Sequence, residues 1–220
     1  ARSRSVRLEP GTASHTGRIR SSNQDSVGLV DGLYVVADGM GGHRGGEVAS
    51  AEAVAAVLAV FDLPDRAGLV AAVRSANRPI LEMTVTRPDL SGMGTTLCAL
   101  AVVNSASGDE VLAVANIGDS RVYRLAAGEL VQVSDDHSLV ADLMRAGELS
   151  AEEAAQHPQR NILTRALGIE ADPVIDSWEL EQVLGDRYLL CSDGLFNELD
   201  DARLAEVLAA GSVQEAADRL

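Results

Sequence analysis

Three apolar runs of strand length in this chain each stop at an aspartate beside a glycine. Leu33-Tyr34-Val35-Val36-Ala37 ends at Asp38-Gly39. Ala115-Asn116-Ile117 leads into Gly118-Asp119. Tyr188-Leu189-Leu190-Cys191 runs through Ser192 to Asp193-Gly194. Glycine at such a point lets backbone or ligand approach closely and permits a positive φ. If the three strands are neighbours, three carboxylates converge at one end of a sheet. An oxygen-only cluster of that kind suits a hard divalent cation, Mg²⁺ or Mn²⁺, rather than zinc. The plain alternative is that each Asp merely caps a helix or orders a turn. Asp38 is a case in point, because the Ala- and Val-rich stretch 46–61 that follows reads as a helix. On the residues alone the two readings of Asp38 stand level.

The order of elements narrows the fold. Two apolar runs within 27–37 flank Asp31-Gly32, a hairpin signal. Helices are expected over 46–61 and 66–86, then a strand over 94–104. Strands follow at 110–117, 121–125 and 129–133, the last two joined by Ala126-Ala127-Gly128. Helical pieces come at 138–146 and 150–157, the second opened by the capping box Ser150-Ala151-Glu152-Glu153. Strand-like runs return at 173–180 and 186–191. The chain closes with helical segments over 200–210 and 212–220, Ser212 and Glu215 forming another cap. Grouped strands and grouped helices, without strict alternation, fit two packed antiparallel sheets with helices outside.

Composition excludes several chemistries. All 18 basic residues are Arg and the chain has no Lys. A Schiff-base lysine and the phosphate-binding lysine of a P-loop are therefore impossible. A net charge of −15 argues against a nucleic-acid surface, which needs clustered positive charge. The four His lack metal-ligand spacing, which leaves zinc little support. Cys98 and Cys191 lie in apolar runs and read as buried reduced thiols, consistent with a reducing, cytoplasmic location. No apolar run approaches the roughly 20 residues of a membrane span. The basic start, Ala1 to Arg7, lacks the apolar stretch of a signal peptide.

Six short motifs, in order, carry a family resemblance. They are Arg20-Ser21-Ser22-Asn23-Gln24-Asp25-Ser26, Ala37 to Gly42, Gly92-Met93-Gly94-Thr95-Thr96, Asn116 to Arg121, Asp135-Asp136-His137-Ser138, and Ser192-Asp193-Gly194. Together they resemble the bacterial form of the metal-dependent protein phosphatases, protein phosphatase 2C. The resemblance implies an α+β fold: a four-layer αββα sandwich of two antiparallel β-sheets flanked by helices, with residues 1–220 as a single catalytic domain. It implies hydrolysis of phosphoserine and phosphothreonine in signalling proteins by attack of a metal-bridging water, on two Mn²⁺ or Mg²⁺ ions with a third in some members. By position, Asp38 would bridge two ions and Gly39 would offer its carbonyl to one. Asp193 would bind the other ion, and Asp119 would serve a third. Arg20 would clamp the substrate phosphate, and Asp25 would stand near the metal waters. Phosphorylated proteins are the implied substrates and a cognate serine/threonine kinase a candidate partner, with no nucleic acid and no membrane segment.

The chain departs from the family pattern at four places. Gln24 replaces the usual Glu. Met40 stands where animal members carry a His, so leaving-group protonation would fall to metal-bound water. Asn161 falls in the flap near a third-metal ligand of some relatives. The family's last strand, opening Asp-Asn, does not occur before Leu220. The alternative function is a catalytically weak phosphatase-like regulatory or partner-binding module. Among lesser residues, His43 reads as a loop residue, His137 as ordering the turn before 138–146, Arg160 as a surface or phosphopeptide-recruiting side chain, and Trp178 as packing.

Overall fold

The structure is a computed structural model and describes residues 7–18, 22–41, 44–62 and 64–220. Strands β1 (Asp25–Val30) and β2 (Leu33–Met40) form the expected hairpin, turning at Asp31-Gly32. Helix α1 (Gly45–Val60) follows. The stretch 66–86 is not one helix but two, α2 (Arg66–Ser75) and α3 (Asn77–Thr86). Pro79 explains the break: it has no N–H to donate to the Ser75 carbonyl, and its ring crowds the preceding turn. A proline is tolerated in the first turn of a new helix but not inside an old one.

The stretch 94–104 is likewise divided, into β3 (Gly94–Thr95) and β4 (Leu97–Asn104). Then come β5 (Glu110–Ile117), β6 (Arg121–Ala126) and β7 (Glu129–Gln132). Helices α4 (Leu139–Arg145) and α5 (Ala151–Gln156) follow, α5 with its capping box formed. After β8 (Asp176–Leu180) and β9 (Arg187–Cys191) the chain makes a one-turn helix that the sequence pattern did not signal, α6 (Asp193–Phe196). It ends with α7 (Asp201–Ala209) and α8 (Val213–Arg219).

All pairings are antiparallel and fall into two sheets. The larger has the order β1-β2-β4-β5-β8 with β3 on β2; the smaller is β7-β6-β9. β4 is apolar on both faces because both are covered. Its Leu97, Ala99, Ala101 and Val103 face the helices, while Cys98 and Leu100 pack between the sheets with Leu112, Val114 and Val122. α1 lies over β1 and β2, and α2 over β5. Ala49, Ala53 and Val57, spaced by four, supply the buried stripe of α1. On the far side Tyr123, Cys191 and Leu204 join the smaller sheet to α7. Four layers result, α, β, β, α, with alanines filling positions that aromatics, only 3% of the chain, do not. Among the described residues no helix is long and apolar enough to cross a membrane.

Candidate metal centre

The β1–β2 register places Asp25 directly opposite Asp38. Beyond this pair the chain is pinned by two threonines. The Asp38 N–H donates to Thr96 Oγ1 at 3.0 Å. The Asp38 carbonyl accepts from Thr95 Oγ1 at 2.9 Å and from the Thr96 N–H at 2.9 Å. These bonds are why β3 and β4 are separate: Thr96 leaves the strand ladder to hold the Asp38 backbone. Thr96 Oγ1 also lies 2.7 Å from Ser120 Oγ, joining the Asp38 segment to the Asp119 segment. The alternative role for Asp38 is ruled out, since α1 has Arg44 at its N-cap and no side-chain capping bond.

Gly39 must be glycine. A Cβ there would stand 1.8 Å from the Gly46 carbonyl oxygen, because β2 ends where α1 begins. Its N–H donates to the Gln24 carbonyl at 3.0 Å, and the Gln24 side chain lies against Gly46. Gly118 has φ +99, and a Cβ would reach Thr96 at 2.6 Å. His137 frames this turn: its Nδ1 accepts the Gly118 N–H at 3.1 Å, and its own N–H donates to the Gly118 carbonyl at 3.0 Å. Its Nε2 meets Asp176 Oδ2 at 3.0 Å. Since Nδ1 accepts, the ring is the neutral Nε2–H tautomer.

Asp193 opens α6, two residues after β9. Its neighbour Ser192 makes no capping bond and instead donates from Oγ to Asp25 Oδ2 at 2.7 Å. Asp38, Asp119 and Asp193 line one cleft of about 1000 Å³, together with Gln24 and Gly39. Asn161, Arg165 and Ile169 belong to its other wall. Arg20 lies outside the described residues.

The electrostatics are those of a site suited to cations. Asp38 has its pKa pushed up to about 8, first by burial, then by the Asp25 and Asp193 charges, a hydrogen bond with Asp25 and the Asp119 charge. Asp119 is raised to about 6 by burial, then by Asp193 and Asp136. Mutually repelling, partly buried carboxylates are what a divalent ion relieves. Among the described residues no three His, Cys, Asp or Glu side chains close round a single point. An oxygen-only donor set suits a hard cation such as Mg²⁺ or Mn²⁺ rather than zinc. The donor set therefore fits hard cations.

Sequence reasoning found the carboxylates and missed what holds them. Thr96, Ser120 and His137 are buried polar residues whose roles depend on partners between 19 and 58 positions away. The usable signal was the polar pair Thr95-Thr96 at the head of an otherwise apolar run.

Fold and site define an αββα sandwich with a carboxylate cluster at one end of its sheets. The family profile for protein phosphatase 2C matches residues 14–219, and the chain belongs to that family. It is 43% identical over 219 residues to the serine/threonine protein phosphatase PstP of Mycobacterium tuberculosis, covering 97% of this chain and 41% of that protein. It is 39% identical over 207 residues to the serine/threonine phosphatase stp of Listeria innocua, covering 87% of this chain and 79% of that one. The crystal structure of the phosphatase MsPP from Mycobacterium smegmatis in complex with cacodylate superposes with a TM-score of 0.87 at 41% identity, covering 97% of this chain and 90% of the other. The catalytic domain of PstP in complex with two manganese ions gives 0.79 at 41% identity, over 92% and 85% of the two chains. The chain thus spans less than half the length of the mycobacterial relative.

Proposed function

We propose that this chain is the catalytic domain of a Mn²⁺- or Mg²⁺-dependent serine/threonine protein phosphatase. One observation carries the reading: Asp38, Asp119 and Asp193, from three separate strand ends, meet in one cleft with the Asp38 carboxyl held far above its ordinary pKa. The serine/threonine phosphatase names of the relatives and the two manganese ions of the PstP catalytic domain support it.

In this reading Asp38, the Gly39 carbonyl and Asp193 would hold two ions, and Asp119 would hold a third. When bound, such ions supply an activated water nucleophile near neutral pH and neutralise phosphoryl charge. The chain's own groups do the rest. Thr95 and Thr96 fix the Asp38 backbone so its carboxylate can face the cleft. Asp25, held by Ser192, orients water beside Asp38. Arg20 clamps the phosphate through its planar fork. Phosphoproteins are the substrates, an opposing serine/threonine kinase is the partner, and the buried free thiols Cys98 and Cys191 suit a cytoplasmic setting. The whole of 1–220 acts as one catalytic unit.

The test is hydrolysis of a phosphothreonine peptide with added Mn²⁺, expected to vanish with a chelator and in D38A. Turnover retained by D38A would overturn the role of Asp38. A second reading, a weak regulatory module, rests on Gln24 in the cleft where the family usually has Glu. Wild-type protein that binds no Mn²⁺ in calorimetry would favour it.

A further inference from the structure

Arg121 begins β6, two residues past Asp119. Across the β6–β9 ladder its Cα partner is Cys191, two residues before Asp193. The register therefore brings both carboxylate-bearing segments to one end of the small sheet. A ladder fixes backbones, however, and α6 is only one turn long. Its N-cap Ser192 makes no capping bond and is committed to Asp25, so the orientation of α6 rests on how Leu195 and Phe196 are held.

The Arg121 guanidinium holds Phe196. Its Cζ lies 3.8 Å above the ring centroid of Phe196, the last residue of α6. Its edge is occupied as well. Nε donates to Asp136 Oδ1 and Oδ2 at 3.0 and 3.1 Å, and Nη2 to Asp136 Oδ2 at 2.7 Å. Nη1 donates to Tyr123 Oη at 2.8 Å. Asp136 is anchored in turn by Gln132 Nε2 at 2.8 Å and by Arg145 on its carbonyl. Stacking on a face while forking along an edge is possible for a planar guanidinium and not for an ammonium.

We propose that Arg121 is a positioning residue for the metal centre: it clamps α6 against the Asp119 segment and so sets the separation of Asp119 and Asp193, and with it the affinity for the ion that Asp119 would hold. This rests on the proposed assignment of Asp119 and Asp193 as ligands. A purely structural Arg121 would change stability without touching one ion selectively.

The experiment is a Mn²⁺ titration of the 220-residue chain, read as free Mn²⁺ by electron paramagnetic resonance, on wild type, D119A, R121K and F196L. Circular dichroism checks each fold. D119A defines that ion as the one it loses. R121K, which keeps the charge but not the fork or the stack, is expected to weaken that ion about ten-fold, close to 1.4 kcal/mol, and leave the others unchanged. F196L, which keeps apolar packing but loses the π face, is expected to weaken it about three-fold, within the range of a partly buried cation–π contact. If R121K and F196L bind as wild type while D119A loses the ion, the clamp is overturned. If R121K does not fold, F196L alone decides by the same criterion. If D119A itself binds as wild type, the ligand assignment fails and the clamp with it.

Discussion

His137 shows how much one buried side chain can organise. It is 1% exposed and spans from the Gly118 peptide to Asp176. Its pKa is lowered, chiefly by burial and further by Arg165 and Arg145, with Asp176 pulling the other way. The folded state thus prefers the neutral ring, and a second ring proton would point at the Gly118 N–H. That stabilisation is complete above the ordinary histidine pKa of 6.5 and fades as pH falls below it, because the unfolded chain takes up the proton first. In the metal-free protein Asp38 and Asp119 titrate in the opposite sense, their raised pKa values favouring the folded state as pH falls, so the His137 contribution is read as a difference between wild type and a variant. H137N keeps an acceptor near Nδ1 but cannot titrate. It should lose about 1–3 kcal/mol of stability at pH 7, through the forfeited Asp176 bond, and the melting-temperature gap to the wild type should narrow from pH 7 to pH 5. Parallel pH curves for the two proteins would refute this role.

At the scale of elements, the break between α2 and α3 has a consequence at the cleft. It leaves Asn77 at the head of α3, buried, where Nδ2 donates to the Glu170 carbonyl at 2.7 Å and Oδ1 accepts the Gly168 N–H at 2.7 Å. Gly168 follows Leu167, which bridges to Thr95, the residue that holds Asp38. One wall of the cleft is therefore moored to a helix start by a single amide side chain. N77A strands the buried Gly168 N–H, removes the partner of the Glu170 carbonyl, and should cost about 2 kcal/mol. Hydrogen exchange should quicken at 168–171 while the β4 and β5 amides remain protected. Uniform quickening across the sheets would mean that Asn77 supports the fold as a whole rather than this wall.

For the whole molecule the governing quantity is charge. Thirty-three acidic residues against eighteen arginines give a field that favours basic substrates and repels acidic ones. Phosphopeptides with arginine flanks should show a higher kcat/KM than the same sequence with glutamate flanks. The gap should narrow as salt rises from about 0.1 M to about 1 M, where the screening length falls from about 10 Å to about 3 Å. A preference that ignores salt would place the discrimination in short-range contacts instead.

The sequence by itself determined most of the strands and helices, the β1–β2 hairpin, the capped starts of α5 and α8 and the three aspartates, because periodicity, turn chemistry and capping act over a few neighbouring residues. The family resemblance added the four-layer arrangement, which the two sheets then displayed. Tertiary structure alone removed the helix-cap reading of Asp38. A helix cap and a metal ligand look the same at the level of Asp-Gly, and only the Arg44 cap of α1 and the Thr95–Thr96 anchorage separate them. It also decided the break at Thr96, the one-turn α6 and the Arg121 clamp on Phe196. Each of these depends on partners far apart in the chain, and that distance is closed by burial of the sheets rather than by any local preference.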